Sequence, residues 1–390
     1  MSSNYLLVET QEAYQQFLDD NRQLEWLAFD TEFVGEKRYH TLICLIQVAT
    51  VNGFYIIDPF AITELEAFYK MLEDPSILKI THAGENDYRL LYRASKVLPK
   101  NVFDTQVAAG FVGYNYPTSF GRLVENECGV SLGKGYTVSN WESRPINKKQ
   151  IQYALNDVLY LEKLYNNLSG KLAKANRTAW AAEEFARMET KEHYEIDIYR
   201  EAFNSAIIKK INPQEQVFLI RLFEWRRKTA EHRNHSKEMV LPAKLVSSII
   251  KNIRSGKAAL NNHRRIPKHI IDHYWDTFNK LHKAPITEEE RAILKDVPPS
   301  LPSNHGQETS MELMTLLLKM KAEREDLATG MLTQGIDIKR MKADPDYFDH
   351  KMAQGWRKEF IGEAMLHWIQ NRSRLDVDFS REEVVLKLKD

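Results

Sequence analysis

Between Leu24 and Leu168, apolar runs too short for helices alternate with stretches of helical spacing, and this alternation restricts the fold more than any other feature. Leu24–Phe33 is apolar and carries carboxylates at its end. Thr41–Thr50 (TLICLIQVAT) is β-branched and apolar, and Gly53–Asp58 (GFYIID) is stopped by Pro59. Ile62–Leu72 then places Ile62, Leu65, Phe68, Tyr69 and Leu72 on one helical face. Ile77–His82 reads as a strand, Asp87–Ala94 as a helix, and Gln150–Leu168 with its extension as strongly helical. Strands alternating with helices predict an α/β domain with a mixed sheet flanked by helices. The short gaps between the first three strands predict an antiparallel meander before the crossover helix.

The rest of the chain reads differently. Residues 206–296 are helical in pattern, with helices expected over Glu215–Thr229, Ala243–Ile253 and Lys268–Leu281. Val297–Ser310 (VPPSLPSNHGQETS) is Pro/Ser-rich and reads as a linker, after which 311–390 is helical again. The expected organisation is an α/β domain over 1–205, a small all-α domain over 206–296, and a linker with a second all-α domain over 297–390. Charge follows the same division. Lys+Arg and Asp+Glu both number 54, yet residues 1–200 hold 21 against 27, while 201–300 hold 19 against 11, an excess of +8. A basic middle block suggests a polyanionic partner. Within it, Arg226, Arg227 and Lys228 end one helix and Arg264 and Arg265 lie near another; most such runs are solvated helix faces, but the excess over the whole block favours phosphate binding by these residues. The two cysteines, Cys44 and Cys128, form no CxxC pair. The N-terminus has no signal-like apolar run, and no run approaches the ~20 apolar residues that span a bilayer. A cytoplasmic protein, not bound to membranes and with no obligate protein partner evident, is expected.

Five residues stand out chemically. Asp30 and Glu32, two apart at the end of a strand, point to one face. Two carboxylates there repel and are costly to desolvate unless cations bind between them. Tyr153 and Asp157, four apart in QIQYALNDVLYLEKL, share a helix face beside an apolar stripe. Asp87 follows the Ile77–His82 strand through Gly84, at the start of a helix, where an acid also serves as a cap. Each feature alone has an ordinary structural reading.

Together they resemble a known family. LAFDTEF, THAGENDYRLL and YALNDVLYL resemble the three exonuclease motifs of the DEDD superfamily, and the tyrosine four residues before the last aspartate resembles its DEDDy branch. KGYTVSNWESRPINKKQIQYALNDV is similar to the stretch between the second and third motifs in ribonuclease D, with Trp141, Arg144, Pro145, Gln150 and Tyr153 on the pattern. The WRRK helix and GWRKEFIG resemble tandem HRDC-type helical domains.

The resemblance implies a ribonuclease H-like α/β exonuclease domain followed by two HRDC-type domains. It implies a 3′-5′ exoribonuclease that releases nucleoside 5′-monophosphates by two-metal-ion hydrolysis, with precursor tRNA 3′ ends and other structured small RNAs as substrates. Asp30, Glu32 and Asp157 would ligate one divalent ion; Asp30 would bridge to a second, held by Asp87. All-oxygen ligands suit Mg²⁺ or Mn²⁺. Tyr153 would orient the attacking water, its ordinary pKa near 10 making it a poor base at neutral pH. Phe33 is expected in the core, His82 as a structural hydrogen-bonding residue, and Arg144 as a partner of phosphate or of a carboxylate. A 3′-5′ DNA exonuclease, or a non-catalytic RNA-binding protein on the same fold, are the alternatives.

Overall fold

A computed structural model describes residues 4–62, 64–133, 140–195, 197–297, 305–379 and 384–388 of the 390-residue chain. Its contacts form two units: residues 1–33, 43–194 and 301–390 make one, and residues 34–42 and 195–300 the other.

The first unit is built on a mixed sheet. Its strands are β1 (Tyr5–Val8), β2 (Trp26–Val34), β3 (Leu42–Thr50), β4 (Gly53–Ile57), β5 (Leu78–Thr81) and β6 (Val102–Asp104), in the order β1-β4-β3-β2-β5-β6. β3 and β4 are antiparallel, whereas β2, β5 and β6 run parallel. β2, β3 and β4 are therefore spatial neighbours in sequence order, as the short gaps predict. β1, which pairs parallel with β4, was not predicted: at four residues (YLLV) it is too short to show an alternation.

Helices α1 (Gln11–Asp20), α2 (Glu66–Glu73), α3 (Glu85–Ser95), α4 (Thr105–Gly110), α5 (Phe120–Cys128), α6 (Lys148–Leu159), α7 (Leu161–Lys174) and α8 (Thr178–Arg187) cover the sheet. The period-2 alternation of β2 sorts its side chains. Leu27 and Phe29 enter the main core, where the Phe29 ring meets Tyr88 edge-on at 5.3 Å. Ala28 faces the other way, into a small cluster with Ala49, Ile80, Val158 and Leu161. The helix expected over Gln150–Leu168 is divided at Tyr160, which ends α6 and opens α7.

The C-terminal residues do not stand apart. Met314, Leu318, Met331, Leu332, Trp356 and Phe360 share one core with Val107, Ala108 and Phe111 of the α/β part. Trp356 is 1 % exposed, packs edge-on against Phe111 at 4.9 Å, and donates its indole N–H to Glu184 at 2.7 Å. Ala328 N–H bonds to the carbonyl of Gly110 at 2.8 Å, so the two backbones approach closely. Gly330 permits this, since a β-carbon there would lie 2.3 Å from the Tyr116 carbonyl. The contacts thus divide the chain otherwise than the three sequence blocks do, because the apolar faces of the last block are spent on the first. Residues 298–304 of the expected linker lie outside the described residues, and from His305 the chain is already helical, to Arg324. The last block is not wholly helical either. It ends in an antiparallel pair, β7 (Leu375–Phe379, LDVDF) and β8 (Val384–Leu388, VVLKL), whose alternating pattern is a strand signal.

The second unit is helical, as predicted. Pro213–Arg233, Ala243–Asn252 and Lys268–Lys283 bury Phe218, Leu222, Leu245, Ile249, Ile271 and Phe278 together. Asn212 and Glu215 cap the first of these helices reciprocally, with Pro213 at its first position. The tip joining β2 to β3 belongs to this unit: His40 N–H bonds to Asn234 Oδ1 at 2.9 Å, and Ser236 N–H to the Lys37 carbonyl at 3.0 Å. Among the described residues, no helix is long and apolar enough to cross a membrane.

The shared core sets an expectation. Trp356→Ala removes a fully buried indole and lowers the stability of the α/β part by about 3–5 kcal/mol. Urea unfolding followed at the α/β tryptophans checks it; an unchanged midpoint would show that the C-terminal block unfolds on its own.

Candidate active site

Register places the first two carboxylates. The parallel pairing of β2 with β5 runs from Trp26↔Leu78 to Ala28↔Ile80, so Asp30 and Glu32 project beyond the paired stretch, on the face Ala28 occupies. The carboxyl ends of parallel strands are where open α/β sheets form ligand crevices. α3 begins there. Gly84 fits tightly over Thr81, whose hydroxyl would lie 2.5 Å from an added β-carbon, and Gly84 N–H bonds to the buried Asp104 at 2.8 Å. The first turn of α3 then carries Asp87, 7 % exposed, to the hydroxyl of Thr31, which donates to it.

α6 supplies the remainder. It opens with a capping box: Asn147 Oδ1 accepts from Lys149 and Gln150 N–H, both at 3.0 Å, and Gln150 Oε1 accepts from Asn147 N–H at 3.2 Å. Gln150 also donates to the Asn140 carbonyl at 3.2 Å. Tyr153 lies 6.1 Å from the buried Trp141 ring, and its hydroxyl is hydrogen-bonded to Asp157. Carboxylate oxygens of Asp30, Glu32 and Asp157 all lie within 4.8 Å of one another. Residues 134–139 of the motif preceding α6 are outside the described residues.

These carboxyls distort one another. Burial, followed by the charges of Asp87, Asp157 and Glu32, drives the Asp30 carboxyl far above the usual range. Burial, then Asp157 and Asp87, raises Glu32 to about 8. Burial raises Asp157 to about 7 against the hydrogen bond from Tyr153, and raises Asp87 to about 6 against that from Thr31. The Tyr153 hydroxyl is pushed up by burial and then by Asp157, Glu32 and Asp30. No lysine, arginine or histidine is among the groups that shift them. A crowded, half-buried, all-oxygen cluster with no cationic side chain among the described residues fits hard divalent cations.

Arg144 does something other than bind phosphate. Its five N–H groups are all used: Nε and Nη2 clamp Asp58 at 2.5 and 2.8 Å, Nη2 also reaches the Cys44 carbonyl at 2.7 Å, and Nη1 bonds to the Trp141 and Ser143 carbonyls at 2.8 and 3.0 Å. The guanidinium also sits 4.4 Å from the centre of the Phe60 ring. It pins the segment before α6 onto the sheet. Arg226 is likewise no surface cation. It is buried, and it bonds to the Leu241 carbonyl, to Glu201 and to Glu238. Arg227 pairs with Glu231 and the exposed Lys228 with Glu224, whereas Arg264 and Arg265 are exposed. Phe33 is 39 % exposed rather than in the core, because β2 has by then run past its neighbour. His82 is structural as expected, with its ring nitrogens 2.9 Å from Thr105 Oγ1 and 3.2 Å from the Thr118 carbonyl. Sequence reasoning missed Thr31, Asp58 and Asp104, since their partners lie 20 or more residues away in the chain.

The buried carboxyls make stability depend on pH. Unfolded, they titrate near 4; folded, they hold their protons to higher pH. The folded chain therefore binds more protons through this interval, and the metal-free protein loses stability as pH rises from about 4 toward about 8. In EDTA, Tm falls between pH 5.5 and 8, Mn²⁺ or Mg²⁺ restores it, and Asp30→Asn raises Tm at pH 8 by a few degrees. A flat profile would contradict the cluster's electrostatics.

Comparison with known proteins agrees with this geometry. Residues 5–173 match the 3′-5′ exonuclease family model. Ribonuclease D of Nitrobacter hamburgensis is 28 % identical over 344 residues, covering 86 % of this chain and 88 % of the relative. Ribonuclease D of Pseudomonas paraeruginosa is 27 % identical over 365 residues, covering 90 % and 93 %. The crystal structure of Escherichia coli RNase D, described as an exoribonuclease involved in structured RNA processing, superposes with a TM-score of 0.80 at 24 % identity, over 94 % of this chain and 98 % of that one. The chain is thus similar to ribonuclease D along nearly its whole length, and its N-terminal part, which matches the 3′-5′ exonuclease model, has a ribonuclease H-like fold.

Proposed function

We propose that this protein is a 3′-5′ exoribonuclease in which Asp30, Glu32, Asp87 and Asp157 hold two divalent ions, Mg²⁺ or Mn²⁺, beside Tyr153. One observation carries the reading: three half-buried carboxylates gathered within 4.8 Å, with no cationic side chain among the described residues to neutralise them. Such a site is stable in its charged form only with cations. Divalent ions bound there supply Lewis-acid charge to the scissile phosphodiester and to the attacking water.

The side chains have separate tasks. Asp30, the one carboxyl that feels the charges of Asp87, Asp157 and Glu32 together, would be the residue shared between the two ions. Thr31 donates to Asp87 and fixes which oxygen remains available. The Tyr153 hydroxyl keeps its proton, because burial and three carboxylates oppose its loss. It therefore serves as a hydrogen-bonding group that orients water, not as a base. The substrates on this reading are 3′-extended precursor tRNAs and other structured small RNAs in the cytoplasm; the bacterial relatives named ribonuclease D support that choice, as does the basic balance of 201–300. A domain label follows as well: 206–296 and 297–390 are proposed as HRDC-type, the second built into the exonuclease core.

The test is a gel time course on a 5′-labelled, 3′-extended tRNA with Mg²⁺, Mn²⁺ or EDTA. A metal-dependent ladder shortening one nucleotide at a time is expected. Asp157→Asn lowers the rate at least about a thousandfold, equivalent to ~4 kcal/mol of barrier. Tyr153→Phe lowers kcat about a hundredfold with little change in KM. Full activity in Asp157→Asn would sink the assignment, and equal digestion of a DNA strand would overturn the choice of RNA.

A further inference from the structure

The middle of β3 holds a glutamine that the fold leaves without a partner. Gln47 is 0 % exposed, and among the described residues neither its Nε2 nor its Oε1 finds a hydrogen bond. A buried amide unpaired at both ends costs free energy that an apolar side chain of the same shape would not. Its neighbours along the strand, Leu45, Ile46, Val48 and Ala49, are all apolar and buried. Packing alone therefore gives no reason for an amide here.

Register shows which way it faces. Gln47 pairs with Ile56 and Ala49 with Phe54 on β4, while Ile46, Val48, Tyr55 and Ile57 enter the main core. Gln47 thus belongs to the opposite face, the one on which Ala49, Ala28 and Val158 cluster. Asp30 and Glu32 project from that same face of β2. β2 lies next to β3, and only residues 35–41 connect them, too few for a parallel crossover, so the two strands are antiparallel. Ala28 and Ala49 share one small cluster. Two residues on along β2 comes Asp30, and two residues back along β3 comes Gln47, so this pair is opposite or diagonal across one ladder. Side chains so placed have Cβ atoms about 4.5–8 Å apart, within the span of a glutamine and an aspartate.

The other acids of the cluster show what such a group can do. Thr31 donates to Asp87 and Tyr153 to Asp157, each through a side-chain hydroxyl. Asp30 takes a backbone hydrogen bond from Thr31. An amide N–H suits a carboxylate that must bind cations. It fixes the orientation of the carboxylate and brings no charge to cancel the one that attracts the ions, whereas a lysine or arginine would compete with them.

We propose that Gln47 is a positioning residue for the carboxylate cluster: when divalent ions are bound there, its N–H donates to the Asp30 carboxylate and fixes the orientation in which Asp30 serves both ions. The assignment rests on the proposed function in requiring ions at Asp30.

The test uses the full-length protein and two variants, Gln47→Met and Gln47→Leu, of similar bulk but without the amide. In EDTA both unfold at a urea midpoint no lower than that of the unsubstituted chain, since no hydrogen bond is lost. Mn²⁺ affinity, read by calorimetric titration without RNA, falls about tenfold. The rate of RNA shortening at limiting Mn²⁺ falls by the same factor, saturating Mn²⁺ restores it, and KM for RNA is unchanged. Unchanged Mn²⁺ affinity in both variants would overturn the proposal. So would a lower midpoint in EDTA for both, which would show that the amide already serves the metal-free fold. Failure of the unsubstituted protein to bind Mn²⁺ would overturn the ion-binding reading itself, and this assignment with it.

Discussion

The joint burial of Asp30, Glu32, Asp87 and Asp157, with charge repulsion added at Asp30 and Glu32, is the constraint around which the first unit is organised. Carboxylates brought together out of water separate unless the backbone carrying them cannot move. Each is therefore held by something rigid. β2 is braced between β3 and β5. α3 is seated by the Gly84–Asp104 hydrogen bond and by Tyr88 in the core. α6 is capped by Asn147 and Gln150, and the segment before it is tied to the sheet by Arg144. The last block adds core to the same unit, and a larger core better withstands a locally destabilised site.

Arginines do most of the long-range tying. Arg177 reaches the carbonyls of Phe111, Glu325 and Asp326, and Arg372 those of Met341, Ile369, Asp344 and Tyr347. Arg357 joins Glu184 to the carbonyls of Met331 and Leu332. A planar group with five fixed donors can collect several carbonyls that no secondary structure satisfies, which a lysine cannot. Such residues count as charge in the sequence but offer none to a partner.

This explains what the sequence reveals and what it hides. Strand and helix patterns made the mixed sheet legible, because period-2 and period-3.6 signals are local. The pairs Asp30/Glu32 and Tyr153/Asp157 were legible for the same reason: each is placed on one face by a single element. Arg226 was misread, and Arg144 left open between phosphate and carboxylate, because their partners, Glu201 and Asp58, are 25 and 86 residues away. The union of the last block with the α/β part was equally hidden, since a helix's apolar stripe shows that it packs and not against what. β7 and β8 were missed for a different reason: their alternation is short and follows a long helical run.

The two halves of the charge balance solve one problem. The carboxyl cluster offers a phosphodiester no positive charge of its own, and the first 200 residues carry more acid than base, 27 against 21. On the proposed function, affinity for a polyanion would come from residues other than these acids. The block 201–300 has the opposite balance, 19 basic residues to 11 acidic. Part of that excess is consumed internally by Arg221 and Arg226, but Arg264, Arg265 and Lys268 remain without carboxylate partners among the described residues. Separating the holding charge from the reacting charge lets each keep its sign. One chain would then attract RNA by its phosphates and still present the proposed ion-binding carboxylates to the bond that is cut.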